Sequence, residues 1–188
     1  MRFLTEGSNG LRGPNPGPFL SKSFGTTISP WVVLTDALEP FLVQGIEPGN
    51  RESLLPYLRE AQAKNVYDIQ LDVDLIAEDS APETICKTSA KNLLFSFPQM
   101  LTHHSINGCA MNTGDLLGSG TISGTEPGSQ GSMLEQTKNG KETLKVGSKL
   151  RTFLEDGDEV VIRGMCGEPG RYIGFGECRG RIEPALEI

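Results

Sequence analysis

From Tyr67 to Leu75 the chain alternates strictly: Tyr67, Ile69, Leu71, Val73 and Leu75 are apolar, and Asp68, Gln70, Asp72 and Asp74 between them are polar. A period of two predicts a strand with one face on a core and the other in water. Asp72 and Asp74 fall on the wet face, where solvated carboxylates are expected in preference to a metal clamp. The pattern then changes period. Ile85, Ala90, Leu93, Leu94, Phe97 and Leu101 follow a 3.6-residue stripe that predicts one main helix over residues 84–105. Pro98 lies inside that span and should kink it. His103 and His104 close it, where positive charge suits the dipole and a helix-end role is expected over ligation. Asn107-Gly108 marks a turn.

Beyond Gly114 short apolar runs alternate with turn residues. Residues 114–124 read as a strand entering a glycine-rich bend, and Asn139-Gly140 as a hairpin turn between two short strands. Residues 151–154 and 159–163 read as strands joined by Asp156-Gly157-Asp158. Residues 172–182, with glycines at 174, 176 and 180, read as closing strands with bulges. Upstream, residues 19–33 are apolar with β-branched residues, whereas residues 1–16 have the glycine, proline and polar character of irregular chain. The expected fold is mainly β (α+β) with one main helix.

Composition narrows the class without naming a chemistry. Of 188 residues, 37% are hydrophobic and 22% charged, enough for one domain with a real core. A formal charge of −7 supplies no basic stripe, so nucleic acid is not an expected partner. No apolar run reaches membrane-spanning length, and no secretory apolar stretch opens the sequence. Cys86, Cys109, Cys166 and Cys178 form no C-x-x-C pair, so free thiols in the cytosol are expected over a zinc ribbon or disulfides. The glycine-rich stretch 114–132 is not a P-loop, lacking the lysine. Nor is it a nucleophile elbow, because Thr121 stands where G-x-S-x-G needs glycine before Ser123. It leaves a backbone able to approach a ligand, with the Thr121 and Ser123 hydroxyls nearby. Lys22, beside Ser21 and Ser23, and Glu135 read on composition as surface charges.

Ordered sequence blocks carry more. Gly-Pro-Phe-Leu-Ser-Lys-Ser-Phe-Gly-Thr-Thr-Ile-Ser-Pro-Trp-Val-Val (17–33) is followed by Leu-Thr-His-His-Ser-Ile-Asn-Gly-Cys (101–109) and Gly-Asp-Leu-Leu-Gly-Ser-Gly-Thr-Ile-Ser-Gly (114–124). Gly-Ser-Met-Leu-Glu (131–135), Thr-Phe-Leu-Glu-Asp-Gly-Asp-Glu-Val (152–160) and Gly-Phe-Gly-Glu-Cys-Arg-Gly (174–180) continue the series. From Gly17 onward the chain resembles the fumarylacetoacetases. The resemblance implies a β-roll or sandwich-like catalytic domain spanning 17–188 in part, N-terminally truncated, after a non-family segment 1–16. It implies a dimeric carbon–carbon bond hydrolase of tyrosine and phenylalanine catabolism, converting fumarylacetoacetate, a small diketo acid, to fumarate and acetoacetate with Mg2+ and Ca2+. A carbon leaving group needs electrophilic help, which a metal and fixed donors supply. Residue by residue, Lys22 resembles the catalytic lysine beside the magnesium, Thr26 the threonine near that metal and Thr121 the substrate-binding threonine. Glu135 is similar to the carboxylate that orients the base histidine. The family's base histidine and most of its metal ligands have no counterpart, and His103 and His104 do not match that base. The alternative expectation is therefore an inactive truncated fragment, or a partner of an intact subunit.

Overall fold

The computed structural model describes residues 25–185, so Lys22 and the segment 1–16 lie outside the described residues. In chain order the elements are α1 (Thr35–Leu38), β1 (Leu42–Gln44), β2 (Lys64–Tyr67), β3 (Gln70–Ile76) and β4 (Glu83–Ser89). They are followed by α2 (Phe97–Ser105), α3 (Met133–Gln136), β5 (Leu144–Val146), β6 (Lys149–Arg151), β7 (Glu159–Glu168) and β8 (Arg171–Arg181). This is the expected α+β class, with strands dominant. A four-stranded antiparallel sheet in the order β4-β3-β7-β8 is flanked by the two-stranded ladders β1-β2 and β5-β6.

The alternating stretch is divided by a break at Asp68-Ile69: its start ends β2, in the ladder with β1, and the rest is β3, a central strand of the four-stranded sheet. Val73 and Leu75 enter a core with Ala77, Cys86, Val146 and Val160. Leu38, Val66, Ile69, Ala90, Leu93 and Cys166 form a second core. On the opposite face of β3, Asp74 is not a solvated carboxylate as expected: it is buried at 7% exposure. Its partners are the Thr84 hydroxyl at 2.7 Å and the Arg163 guanidinium at 2.6 Å. In register with Asp72, Lys87 lies on β4, Arg163 on β7 and Glu177 on β8. Signs alternate along this row across all four strands, and Arg163 Nε donates to Glu177 Oε1 at 3.0 Å.

The 84–105 helix is a correction. Its first part is β4, paired antiparallel with β3, and a 3-10 turn follows at Ala90–Asn92. Only Phe97–Ser105 is α-helical. Thr84, Ile85 and Thr88 are β-branched and suit the pleated surface, while Ser89 and Ser96 cap backbone and divide the run. Pro98 does not kink the helix. It lies in the first turn, where its missing N–H would have had no partner, behind a Ser96/Gln99 capping box.

Three further expectations shift. Residues 114–124 run without ladder pairing, so no strand forms there. Leu116 and Leu117 are correspondingly exposed. Asn139-Gly140 follows α3 rather than joining strands, as part of a left-handed run of Lys138, Asn139 and Gly140; the hairpin turn is at 147–148, between β5 and β6. The strand expected over 151–154 ends at Arg151, while the 159–163 strand is longer than expected, as β7. β8 does close the sheet, with an irregular register opposite Arg163–Met165 and a left-handed Gly176. Residues 25–33 contain no strand and lie along β8: Ser29 Oγ donates to the Phe175 carbonyl at 3.1 Å.

Candidate functional site

Two nearby blocks, 121–124 and 131–135, are folded back on each other at the buried Gly131. A Cβ on Gly131 would fall 2.3 Å from the Ile122 carbonyl oxygen and 2.9 Å from the Thr121 methyl, so only glycine lets the two backbones touch. The Gly131 amide donates to Ser123 Oγ at 3.0 Å. That same hydroxyl lies 3.0 and 2.9 Å from the two carboxylate oxygens of Glu135. Ser132, the N-cap of α3, accepts the Glu135 amide at 3.3 Å, and its hydroxyl donates to Glu135 Oε2 at 2.7 Å. Glu135 is exposed, as its composition suggested, yet two serines hold it.

The four side chains singled out from the sequence divide between regions. Thr121 packs against Gly131, whose amide bonds the Ser123 hydroxyl that in turn holds Glu135. Thr26, exposed, belongs to the segment along β8 and shares no hydrogen bond with either among the described residues. Lys22 lies outside the described residues. The chain's two histidines lie at the end of α2, at a distance in hydrogen-bonding terms from Glu135. Tyr57 Oη bonds His103 Nδ1 at 3.1 Å, and His104 Nε2 bonds Cys109 Sγ at 3.2 Å.

Met133, the first residue of α3, packs against the core that holds Val73, Leu75 and Cys86, which sets α3 against the sheet. Burial pushes the Cys86 thiol up, and the Asp72 and Glu135 carboxylates add to that effect. Nearby, an open groove of about 340 Å³ runs between the 124–129 loop and the β3–β4 surface, with Asp72, Lys87, Lys91, Asn92 and Thr125 on its walls. The Lys87 amide, donating to the Gly128 carbonyl at 2.9 Å, ties that loop to β4. Among the described residues no three His, Cys, Asp or Glu side chains converge on a metal-sized site. Thr26 offers one hydroxyl, so the described donors alone do not fit Mg2+ or Ca2+.

Ser123 was expected near a ligand, beside Thr121, but its hold on Glu135 was not, and Ser132 was not singled out at all. Ser132-x-x-Glu135 has capping-box spacing and was open to detection from sequence. The Ser123–Glu135 contact joins a loop to the short helix α3 with no periodic signal between them.

An antiparallel α+β sheet domain presenting a serine-clamped carboxylate beside a glycine-packed threonine defines the class by its parts. The model of the fumarylacetoacetate hydrolase C-terminal domain matches residues 9–183, and the chain belongs to that family. It is 64% identical over 174 residues to a fumarylacetoacetase of Aspergillus fumigatus and 61% identical over 174 residues to one of Emericella nidulans. It is 51% identical over 172 residues to the human fumarylacetoacetase. These matches take in 92%, 92% and 90% of this chain, respectively, but each only 40% of the relative's length.

Proposed function

We propose that this chain supplies the Lys22, Thr26, Thr121 and Glu135 portion of an enzyme that hydrolyses fumarylacetoacetate to fumarate and acetoacetate, in tyrosine and phenylalanine breakdown. The observation that carries the reading is the convergence of Thr121 and Glu135 around Gly131, in a chain whose family match is nearly end to end. In this reading water attacks the substrate ketone, the carbon–carbon bond breaks, and acetoacetate leaves as a carbanion that is then protonated. Thr121 holds the diketo acid. Glu135 accepts a hydrogen bond from a base imidazole, fixing its orientation and stabilising the imidazolium formed when it takes a proton from water. Lys22 stabilises negative charge on the reacting oxygens. Mg2+ and Ca2+ would take their carboxylate ligands from outside the described residues and would supply electrophilic help to the diketone. A homodimer in the cytosol completes the proposal.

The imidazole is the missing part. His103 and His104 are engaged with Tyr57 and Cys109, and Glu135 is bonded to neither. A single general base contributes typically about 10²–10⁴-fold. This chain alone is therefore expected to show negligible turnover when the loss of fumarylacetoacetate absorbance is followed with added Mg2+ and Ca2+. Replacing the matching 40% of the Aspergillus fumigatus relative with this chain should give a chimera that turns over the same substrate. An inactive, folded chimera would overturn the reading. Turnover by the chain alone at the chimera's rate would show that its own residues suffice.

A further inference from the structure

We infer that Ser123 is a positioning residue for the Glu135 carboxylate, an inference that rests on the role of Glu135 proposed above. A hydroxyl carries one proton and free rotation, so on its own it orients nothing. Here the Gly131 amide, 3.0 Å from Ser123 Oγ, occupies a lone pair and fixes the rotor. The remaining proton is left facing both Glu135 oxygens, at 3.0 and 2.9 Å. Ser132 adds a second hydroxyl at 2.7 Å on Oε2 alone, so the carboxylate is gripped asymmetrically, with Oε1 the less occupied oxygen.

The arrangement is built for direction more than for strength. Glu135 is exposed on a four-residue helix, where its torsions would otherwise be free and where an anchored carboxylate adds little to folding. Ser123 reaches it from a separate loop 12 residues away, and that loop is pinned to the same backbone by the close contact of Gly131 with Ile122 and Thr121. The Thr121 end and the Glu135 end are thereby held in one rigid unit. Ser123, between them, fixes the angle at which Glu135 presents Oε1.

The test uses the chimera described above. Ser123→Ala is expected to lower kcat about tenfold, as loss of a hydrogen bond to a charged group predicts. KM should stay within about twofold, because Thr121 still holds the substrate. Ser123→Thr keeps the hydroxyl and should recover most of kcat, whereas a purely structural role would show as a lowered melting temperature in both variants. Should Ser123→Ala fail to fold, Ser123→Cys, of similar size and a poor donor, takes its place with the same expectation. A kcat equal to the parent's, or a loss that Ser123→Thr does not restore, overturns the positioning role. Inactivity of the unsubstituted chimera instead removes the Glu135 reading beneath it, so the two failures are distinguishable.

Discussion

Asp74 and Glu135 are both carboxylates on surfaces read as solvated, and their fates differ because their neighbours do. Burial alone would raise the Asp74 carboxyl, but hydrogen bonds from Thr84 and Arg163, with the charges of Arg163 and Lys87, outweigh it and hold the group below its usual value of 3.8. A carboxyl lowered in the folded state adds stability that is full above its unfolded value and is lost as pH falls through its folded value. The stability gap between the parent and Arg163→Gln, measured by urea unfolding, should be constant near neutral pH and should narrow as pH drops below about 4. A gap unchanged down to pH 2 would mean that Arg163 acts through packing alone. Alternation correctly placed Asp74 opposite the core. It is silent about cross-strand partners such as Arg163, 89 residues away, so burial of that face was not legible.

At the scale of elements, residues 84–105 show how one apolar stripe can serve three structures. The stripe held only in part: Ala90 and Leu93 enter one core and Ile85 packs against the other, whereas Leu94, Phe97 and Leu101 are exposed. The period was misread because β-branched residues and serine caps count for nothing in a hydrophobicity pattern, though they decide where a helix can start. Ser96 is the decisive residue. It is fully buried, its hydroxyl accepts the Gln99 amide at 3.1 Å, and it donates to Glu60 at 3.0 Å. Ser96→Ala should destabilise the protein by about 1–2 kcal/mol in chemical denaturation, with the loss of helical signal confined to α2. The Gln99 side chain also donates to the Leu58 carbonyl at 2.8 Å, so fraying α2 should loosen the 56–58 turn as well. By contrast, residues 114–124 form no strand: left-handed Gly114 and Gly120 break the extended backbone that pairing requires.

Over the whole molecule, the family and the α+β class were legible from ordered blocks and strand alternation, and Thr121 and Glu135 were legible only through the resemblance. Their meeting at Gly131 was not, since it depends on two loops touching where no side chain intervenes. The fold's coherence rests partly on one ion pair. Asp158, fully buried, takes two hydrogen bonds from Arg151, at 2.9 and 3.0 Å, and the Glu155 amide at 2.9 Å. This pair ties the β5–β6 ladder to the start of β7. Asp158→Ala removes two hydrogen bonds from the buried guanidinium, which keeps Glu155 at 3.1 Å, and should cost about 1.5–3 kcal/mol, read as a drop in the urea midpoint. A loss below about 1 kcal/mol would show that water reaches Arg151 and solvates it.

Gly176 on β8 has a further consequence. Its backbone is left-handed, and a Cβ there would lie 2.2 Å from Cδ1 of Trp31, so the indole rests directly on the strand where a side chain would otherwise stand. Trp31 is the chain's single tryptophan. The protein's tryptophan emission, excited apart from that of its three tyrosines, therefore originates at one seam, where the segment bearing Thr26 lies against the sheet. Trp31 stays 69% exposed on the closed seam, so the anisotropy of its emission more than its wavelength reads whether the segment is held to β8, with no label and no substrate.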